Sequence, residues 1–564
     1  MPENNNIPKR FGFNLRLHRG ALSWNSFLRE KNDDCLIDNH AYTFFLEGVL
    51  LNKALLLNSY AQLDFQSLVQ FFFQSKKTRF WSEFEGEFRG FFYEKECGEL
   101  WVFTNPIASQ QVFYHQHSDQ LFIDTSLVRL VHSMYQFQVT VNPSVENLLM
   151  LLCVGNQLEN QTPIDQVSKI RDGHHLHIQI SSNTLSEQAY FQIDESQQFQ
   201  GSKHQALQAI HELFSMGVGF EFEKDLEQNT RHLALLSGGL DSRMTLLYAI
   251  QMGYKPAMAF CFSHSNYWDH TISQNIAEQF HIPYHFVALD GGEFLQNIDQ
   301  LALIAEGLTQ YTGGIHVHYA LQHLHFEDFS LFHSGHIGDG VLGGLNSRPK
   351  PTPPSHFKVV ANPEILPLVS TQLQEIMSRY QKEEMFLIRN LAYNRTVLGA
   401  KVLQQMRYQT SPFTTKEFLK LAISLPENWK FQQKIYIEWI TKYCPQATKF
   451  PWERTALLPN AHWKTSFGER YFKRLHHMKH KHWDKNPAPM SMAPYAYYFE
   501  QSRKLQNTYQ AYYQDNLHRL EPYPELKHWV QKLYNTGQFK QMSQAINLLA
   551  IMKLFLDESN YPHS

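Results

Sequence analysis

A short apolar strand that runs into a double glycine and then a helix constrains this chain more than any other feature: LALLSGGLDSRMTLL, residues 233–247. Two successive glycines, Gly238 and Gly239, let the backbone turn sharply and approach a ligand closely. The amide N–H groups of such a turn, with the helix N-terminus behind them, face an anion. Ser237 and Ser242 add hydroxyl donors. Asp241 would repel bare phosphate, and a bound Mg²⁺ is the natural reason for a carboxylate there. No G-x-x-x-x-G-K-[ST] string occurs, so the loop is not of the Walker type. A double glycine after a strand also serves plain turns, but the whole SGGLDS string favours a pyrophosphate loop.

The surrounding pattern predicts how that loop is mounted. HLALL (232–236), MAFCFS (258–263), YHFVAL (284–289) and SLFHSG (330–335) read as strands. Helices are predicted between them at 241–252, 269–280, 293–306 and 315–327. Strands alternating with helices imply a parallel sheet with crossover helices. Beyond about residue 380 the chain reads as mostly helical. Residues 1–200 read as β-rich, in aromatic and β-branched runs broken at Glu96-Cys97-Gly98 and Ser118-Asp119, where hairpins turn. Helices are expected at 144–154 and 201–222, and a strand pair near RDGHHLHIQI (171–180). The expected class is α/β, with one domain over 1–200 and another over 201–564.

Composition excludes several classes. Aromatics are 14% and charged residues 18%, which suits a large core and excludes a mostly disordered chain. The net charge is −3, so no global field favours nucleic acid or anionic lipid. The 5 cysteines are far apart without a C-x-x-C pair, which argues against a disulfide framework or structural zinc and suits a reducing cytoplasm. The longest apolar run, 148–154, falls far short of the roughly 18 residues that span a bilayer. The segment MPENNNIPKRFGF lacks the apolar core of a signal peptide. A soluble cytoplasmic protein is expected. Lys, Arg and His crowd residues 462–485, where the acids are Glu469 and Asp484. That run reads as a solvated helix face, or as a dock for an acidic partner such as a sugar acid, a lipid-linked sugar, a phosphate carrier or RNA. His316-x-His318 and His323-x-His325 invite a metal reading, but on a helix residues i and i+2 point apart. No G-x-S-x-G nucleophile elbow occurs.

SGGLDS resembles the pyrophosphate loop of the ATP pyrophosphatases, which cleave ATP to AMP and pyrophosphate. FHSGHIGDGVLGG (332–344) resembles the SGEGxDExxGG segment of asparagine synthetases. RYQTSPFTTKEFLKLAISLPENWKF (407–431) is similar to their R-x-PF-x-D stretch with its helix and "SLP". PQATKFPWERT (445–455) is similar to the loop carrying their catalytic lysine. The likeness covers about 230–460 and extends to β-lactam synthetase and lasso-peptide cyclase. In the first half, FLEGVLLN stands where asparagine synthetases have NGEIYN, and GEFRGFFYEKECGELWVFTNPIASQQVFY and RDGHHLHI resemble later parts of their class II amidotransferase domain. That resemblance implies an Ntn-type αββα sandwich.

The resemblance implies ATP bound by Leu236, Ser237, Gly238, Gly239, Asp241, Ser242, Ser334, Gly335 and Gly338, and Mg²⁺ held by Asp241 and Asp339. It implies catalytic roles for Arg454, Lys449 and His336. The departures are as telling. The sequence opens Met1-Pro2-Glu3 instead of with the nucleophilic Cys, its first cysteine is Cys35, and Glu47 replaces the oxyanion Asn. Phe103-Thr104 replaces the Arg-Asp pair. No glutaminase activity is expected. His336 replaces the family's Glu, Ile337 a Gly and Gly340 another Glu, and Lys449 or Arg454 must serve for one lysine. The expected enzyme is an ATP-dependent ligase that joins a small-molecule, peptide or sugar carboxylate to an amine or ammonia through an acyl-adenylate. The alternatives are an asparagine synthetase fed by ammonia or an external glutaminase, and a nucleotide-binding pseudoenzyme or scaffold. A homodimer is compatible with the resemblance, and the charge balance argues against nucleic acid.

Overall fold

The structure is a computed structural model that describes residues 11–29, 33–77, 79–472, 475, 478 and 491–557. The first half is built on β1 (Gly12–His18), β2 (Ala21–Phe27), β3 (Cys35–Asp38), β4 (Tyr42–Leu50), β5 (Gly86–Glu94), β6 (Glu99–Thr104), β7 (Phe113–His117), β8 (Gln120–Asp124), β9 (Ser168–Lys169), β10 (His174–Gln179) and β11 (Thr184–Ala189). They form two antiparallel sheets, ordered β2-β1-β8-β7-β9 and β11-β10-β6-β5-β4-β3. The expected hairpin turns join β5 to β6 and β7 to β8.

Side-chain alternation sorts these strands into layers. Phe13, Leu15 and Leu17 of β1 meet Phe45, Phe91, Val102 and Ile178 between the sheets. On the other face of the six-stranded sheet, Phe44, Phe88, Phe92 and Phe103 pack on α1 (Lys53–Ser59) and α2 (Phe65–Gln74). Phe113 and Phe122 of the five-stranded sheet join the apolar side chains of α3 (Leu127–Gln136) and α4 (Val145–Val154). The order is helix, sheet, sheet, helix, as the resemblance implied. The hairpin β1–β2 carries the alternating polar residues Asn14, Arg16, Ser23 and Asn25, so it shows no apolar run in sequence.

After α5 (Lys203–Glu227) comes a third sheet, fully parallel. Its strands are β12 (Leu233–Leu235), β13 (Met258–Ser263), β14 (Tyr284–Ala288), β15 (Leu331–His333) and β16 (Tyr408–Thr410), in the order β14-β13-β12-β15-β16. Helices α6 (Leu240–Gln251), α7 (Trp268–Gln279), α8 (Ile298–Ala305) and α9 (Ile315–Leu321) connect the first four. The chain leaves β12 toward β13 and β14, then returns to β12's other side with β15. Loops diverge at such a switch point, and ligands of open α/β sheets bind there.

Three elements differ from expectation. The helix over 293–306 is a 3₁₀ turn, Glu293–Gln296, followed by α8, and the helix over 315–327 ends at Leu321. Strand β16 lies at the start of a stretch expected to be loop and helix. Three residues are too few for a periodic signal, and β16 exists through pairing with β15, about 77 residues upstream. The apolar run 148–154 is the buried α4, enclosed by the core that also holds the parallel sheet and the last helix, Phe539–Leu556. No described helix is long and apolar enough to cross a membrane.

Candidate active site at the switch point

The loop after β12 is held by its own side chains. The Ser237 and Ser242 hydroxyls lie 3.1 Å apart, and Ser242 Oγ also accepts the Ser237 N–H at 3.1 Å. Ser237 Oγ accepts the Gly239 N–H at 3.2 Å. The Gly238 N–H goes to Asp269 Oδ1 at 2.7 Å, at the start of α7. A Cβ on Gly238 would stand 3.0 Å from both Glu453 Cβ and the Trp268 carbonyl oxygen, so the loop is walled by two other segments. Leu236 is buried and donates its N–H to the Phe260 carbonyl.

The loop after β15 presses against the first. A Cβ on Gly335 would lie 2.1 Å from the Asp241 carbonyl carbon, so only glycine allows the approach. Gly338 lies against the Phe413 ring. The Ser334 hydroxyl donates to the Thr410 carbonyl at 2.8 Å and accepts the His336 N–H, so it ties the loop to β16. The two aspartates then meet. Asp241 Oδ2 accepts the Asp339 N–H at 2.8 Å, and Oδ1 accepts the Tyr436 hydroxyl at 2.6 Å. Burial, then the neighbouring Asp339 charge, pushes the Asp241 carboxyl well above its usual range. Arg454 Nη1 stands 3.8 Å from Asp339 Oδ2 and 3.4 Å from Gln433 Oε1.

Arg243, the residue after SGGLDS, fixes the third wall. It is fully buried, and its guanidinium donates to the carbonyls of Gly238 (2.9 Å), Ala447 (2.8 Å), Phe450 (3.1 Å) and Pro451 (2.7 Å). The segment ahead of Arg454 is therefore clamped to the glycine loop. Glu453 is pushed up to about 7 by burial and by Asp269, against the pull of Arg243. Burial lifts Asp269 to about 6.

Four carboxyls around a helix N-terminus, with two arginines, form a site short of positive charge. Both oxygens of Asp241 are engaged once and retain a lone pair each, and the Asp339 side chain is half exposed. Hard oxygen donors of this kind fit Mg²⁺. Of the expected catalytic residues, Arg454 adjoins this pair. Lys449 is exposed, and among the described residues the cation paired with Asp339 is Arg454. His336 is half-buried and lines a small cavity with Glu87, Ser109, Ser411 and Thr414. Burial pushes its imidazole down to about 4, so it is neutral at pH 7. Tyr436, Asp269, Glu453 and the clamping role of Arg243 were not anticipated. Each of the first three comes from a segment without a glycine signature, and only the three-dimensional fold brings them in.

Other expectations resolve differently. His316 bonds Tyr495, and among the described residues His316, His318, His323 and His325 do not converge as a ligand set. Glu47 is fully buried, 2.6 Å from Arg89 Nε, 3.7 Å from Arg29 Nε and 3.2 Å from the Tyr408 hydroxyl. Met1, Pro2 and Glu3, and residues 473, 474, 476, 477 and 479–485 of the basic run, lie outside the described residues.

Residues 222–446 match the family model for asparagine synthase. The matched stretch is less than half of the 564 residues, but it contains all of β12–β16 and both aspartate loops. No curated protein matches the chain by sequence. Among solved structures, glutamine phosphoribosylpyrophosphate amidotransferase from B. subtilis, complexed with ADP and GMP, aligns at 9% identity over 50% of this chain and 60% of its own, with a TM-score of 0.22. A structure of the allosteric regulatory enzyme of purine biosynthesis aligns at 9% over 50% of this chain and 59% of its own, with a TM-score of 0.21. The alignments thus span about 60% of the length of those chains. The segment with the parallel sheet is asparagine synthetase-like.

Proposed function

We propose that this chain is an ATP-dependent amide-forming ligase that activates a carboxylate as an acyl-adenylate. The observation that carries the reading is the contact between Asp241 and Asp339, from two glycine loops at the switch point, with Arg454 beside them. The N–H groups and hydroxyls at 237–242 would take the pyrophosphate oxygens of ATP. Asp241 and Asp339 would hold Mg²⁺, which supplies charge balance for the phosphates. A carboxylate oxygen of the substrate attacks the α-phosphorus, the bond to the bridging oxygen breaks, and pyrophosphate leaves. Arg454 offsets charge that grows on the departing group. An amine or ammonia then adds to the acyl carbon, AMP leaves, and the amine's proton is lost.

This reading includes no glutamine hydrolysis. At the position of the family's oxyanion donor stands the Glu47 carboxylate. Burial opposes its charge, but Arg89 and Arg29 outweigh that and hold it below the usual range. A buried carboxylate would repel an oxyanion. ATP consumption and free cysteines fit a cytoplasmic setting. The test is pyrophosphate release from ATP and Mg²⁺ with a panel of carboxylic acids, run with ammonia and with glutamine. Acid-dependent release supported by ammonia alone is expected. Glutamate formation from glutamine above the enzyme-free rate would overturn the second part.

A further inference from the structure

Among the described residues, the exposed large apolar side chains are scattered through the sequence, with one exception. Trp463, Phe467, Tyr471, Phe472, Leu475 and Met478 are all exposed within one segment, Trp463 at 69%. Single apolar residues on a surface need no explanation, but a clustered set marks a binding face. The segment opens as an α-helix, His462–Phe467, and widens into a π-helical turn, Gly468–Phe472. Leu475 and Met478 are helical as well and keep the spacing at four and three residues. The four-residue steps from Trp463 to Phe467 and Tyr471 overshoot a 3.6-residue turn by about 40° each. The wider π turn offsets that drift and keeps the rings on one side. The Phe467 and Tyr471 rings lie 4.8 Å apart.

The other side of this helix is taken. Gly468 is buried, and a Cβ there would stand 2.8 Å from the Thr455 carbonyl oxygen and 3.0 Å from Leu457 Cδ1. Thr455 follows Arg454, in a turn that the Trp452 N–H closes onto the Leu457 carbonyl at 3.0 Å. The glycine thus seats the helix on the loop beside the two aspartates, and the aromatic side faces solvent.

Charge identifies the occupant. The sequence from 462 to 485 carries seven Lys or Arg against two acids, in a chain whose net charge is −3. The attraction is therefore local, and it reaches about one Debye length, roughly 10 Å at 0.1 M salt. Basic residues beside an apolar stripe suit anionic headgroups above acyl chains. Indole and phenol rings bury an apolar body there and keep a polar tip among the headgroups. Nucleic acid would stack on the rings but offers no apolar depth to Leu475 and Met478. A second copy would bring one basic segment against another. No described helix is long and apolar enough to cross a membrane, so the contact lies in the plane of the surface.

We propose that Trp463, Phe467, Tyr471, Leu475 and Met478 seat this chain on an anionic lipid bilayer, as a peripheral contact beside the loop that carries Arg454. The proposal is independent of the ligase reading.

The experiment sediments the full chain with vesicles of phosphatidylcholine alone or of phosphatidylcholine and phosphatidylglycerol in equal parts. Partition onto the anionic vesicles should exceed that onto the neutral ones by about tenfold or more and should fall at high salt. The double variants Trp463→Ser/Phe467→Ser and Leu475→Ser/Met478→Ser should each lower the partition about tenfold or more. Both should keep the parent's melting temperature, because these side chains are exposed. The proposal is overturned if the chain does not partition, if neutral and anionic vesicles bind it alike, or if both variants partition like the parent. It is overturned equally if vesicles fail and the same variants abolish binding of polyuridylate RNA or disperse a dimer seen by sedimentation velocity.

Discussion

Arg454 and Lys449 are five residues apart in one loop, and the fold gives them different surroundings. Arg454 stands 3.8 Å from Asp339, with its guanidinium carbon 5.5 Å from the Trp452 ring centre, whereas Lys449 is exposed. Arg454→Ala is therefore expected to lower turnover by about 10²–10³, or ~2.7–4 kcal/mol, with ATP binding retained. Lys449→Ala should stay within about threefold of the parent, since a solvated charge away from the reacting phosphate stabilises little. Pyrophosphate release and ATP binding, measured in parallel, decide the matter; equal losses in both variants would contradict the assignment. Arg243 presents a different case. Its four carbonyl partners form no site for substrate, and replacing it with Met leaves them unpaired in the core. Arg243→Met should destabilise by about 3–5 kcal/mol, as expected when one member of a buried charged network is removed. Urea unfolding would show it.

Among secondary-structure elements, α5 meets β12 and β15 through a buried polar knot. Glu221 and Asp225 lie one turn apart on α5. Asp225 Oδ2 bonds His333 Nε2 at 2.6 Å and His232 Nδ1 at 2.9 Å, while His333 Nδ1 faces Glu221 at 3.4 Å. These are hydrogen-bond distances, so shared protons occupy the space a cation would need. Burial alone would lower the His333 pKa, but Asp225 and Glu221 outweigh it and raise it to about 9. Burial raises Glu221 to about 7. Both groups bind protons more tightly in the folded chain, so their share of stability is lost as pH rises. For Glu221 the loss runs from about 4.5 to 7, and for His333 from about 6.5 to 9. Asp225 is held below its usual range, and its contribution disappears only as pH falls through that lowered value. The melting temperature should fall steadily between pH 6.5 and 9, and His333→Gln should flatten that slope. An unchanged slope in the variant would place the pH dependence elsewhere. None of this knot was legible in sequence, because four residues from three segments carry no common spacing. The glycine loop was legible because strand, turn and helix start are contiguous. Strand β16 was not, because its only reason to be extended is a partner strand far away in sequence.

For the molecule as a whole, the two halves share core and charge. Glu47 of β4 is bonded to Tyr408 of β16, and Lys224 of α5 to Asp33, 3.1 Å away and equally buried. The position that the family resemblance assigns to glutamine chemistry thus holds a buried ionic joint between the antiparallel and parallel sheets. Glu47→Ala should cost about 3–5 kcal/mol, because it strands Arg89 and Arg29 in the interior. Chemical denaturation followed by fluorescence should show one transition shifted to lower denaturant; loss of the first half alone would show that the joint does not couple the two. The layered architecture was legible only through the family resemblance of the first half, whereas this joint required knowing which face of β4 meets β16. The central claim is that Asp241 and Asp339 together serve ATP cleavage at the α-phosphorus. It is tested most directly by pyrophosphate release from ATP, Mg²⁺ and a carboxylic acid, comparing the parent chain with Asp241→Asn and Asp339→Asn. The account predicts acid-dependent release in the parent and its loss by at least a hundredfold in each variant, with the fold intact by circular dichroism. Parent-level release from either variant would contradict it.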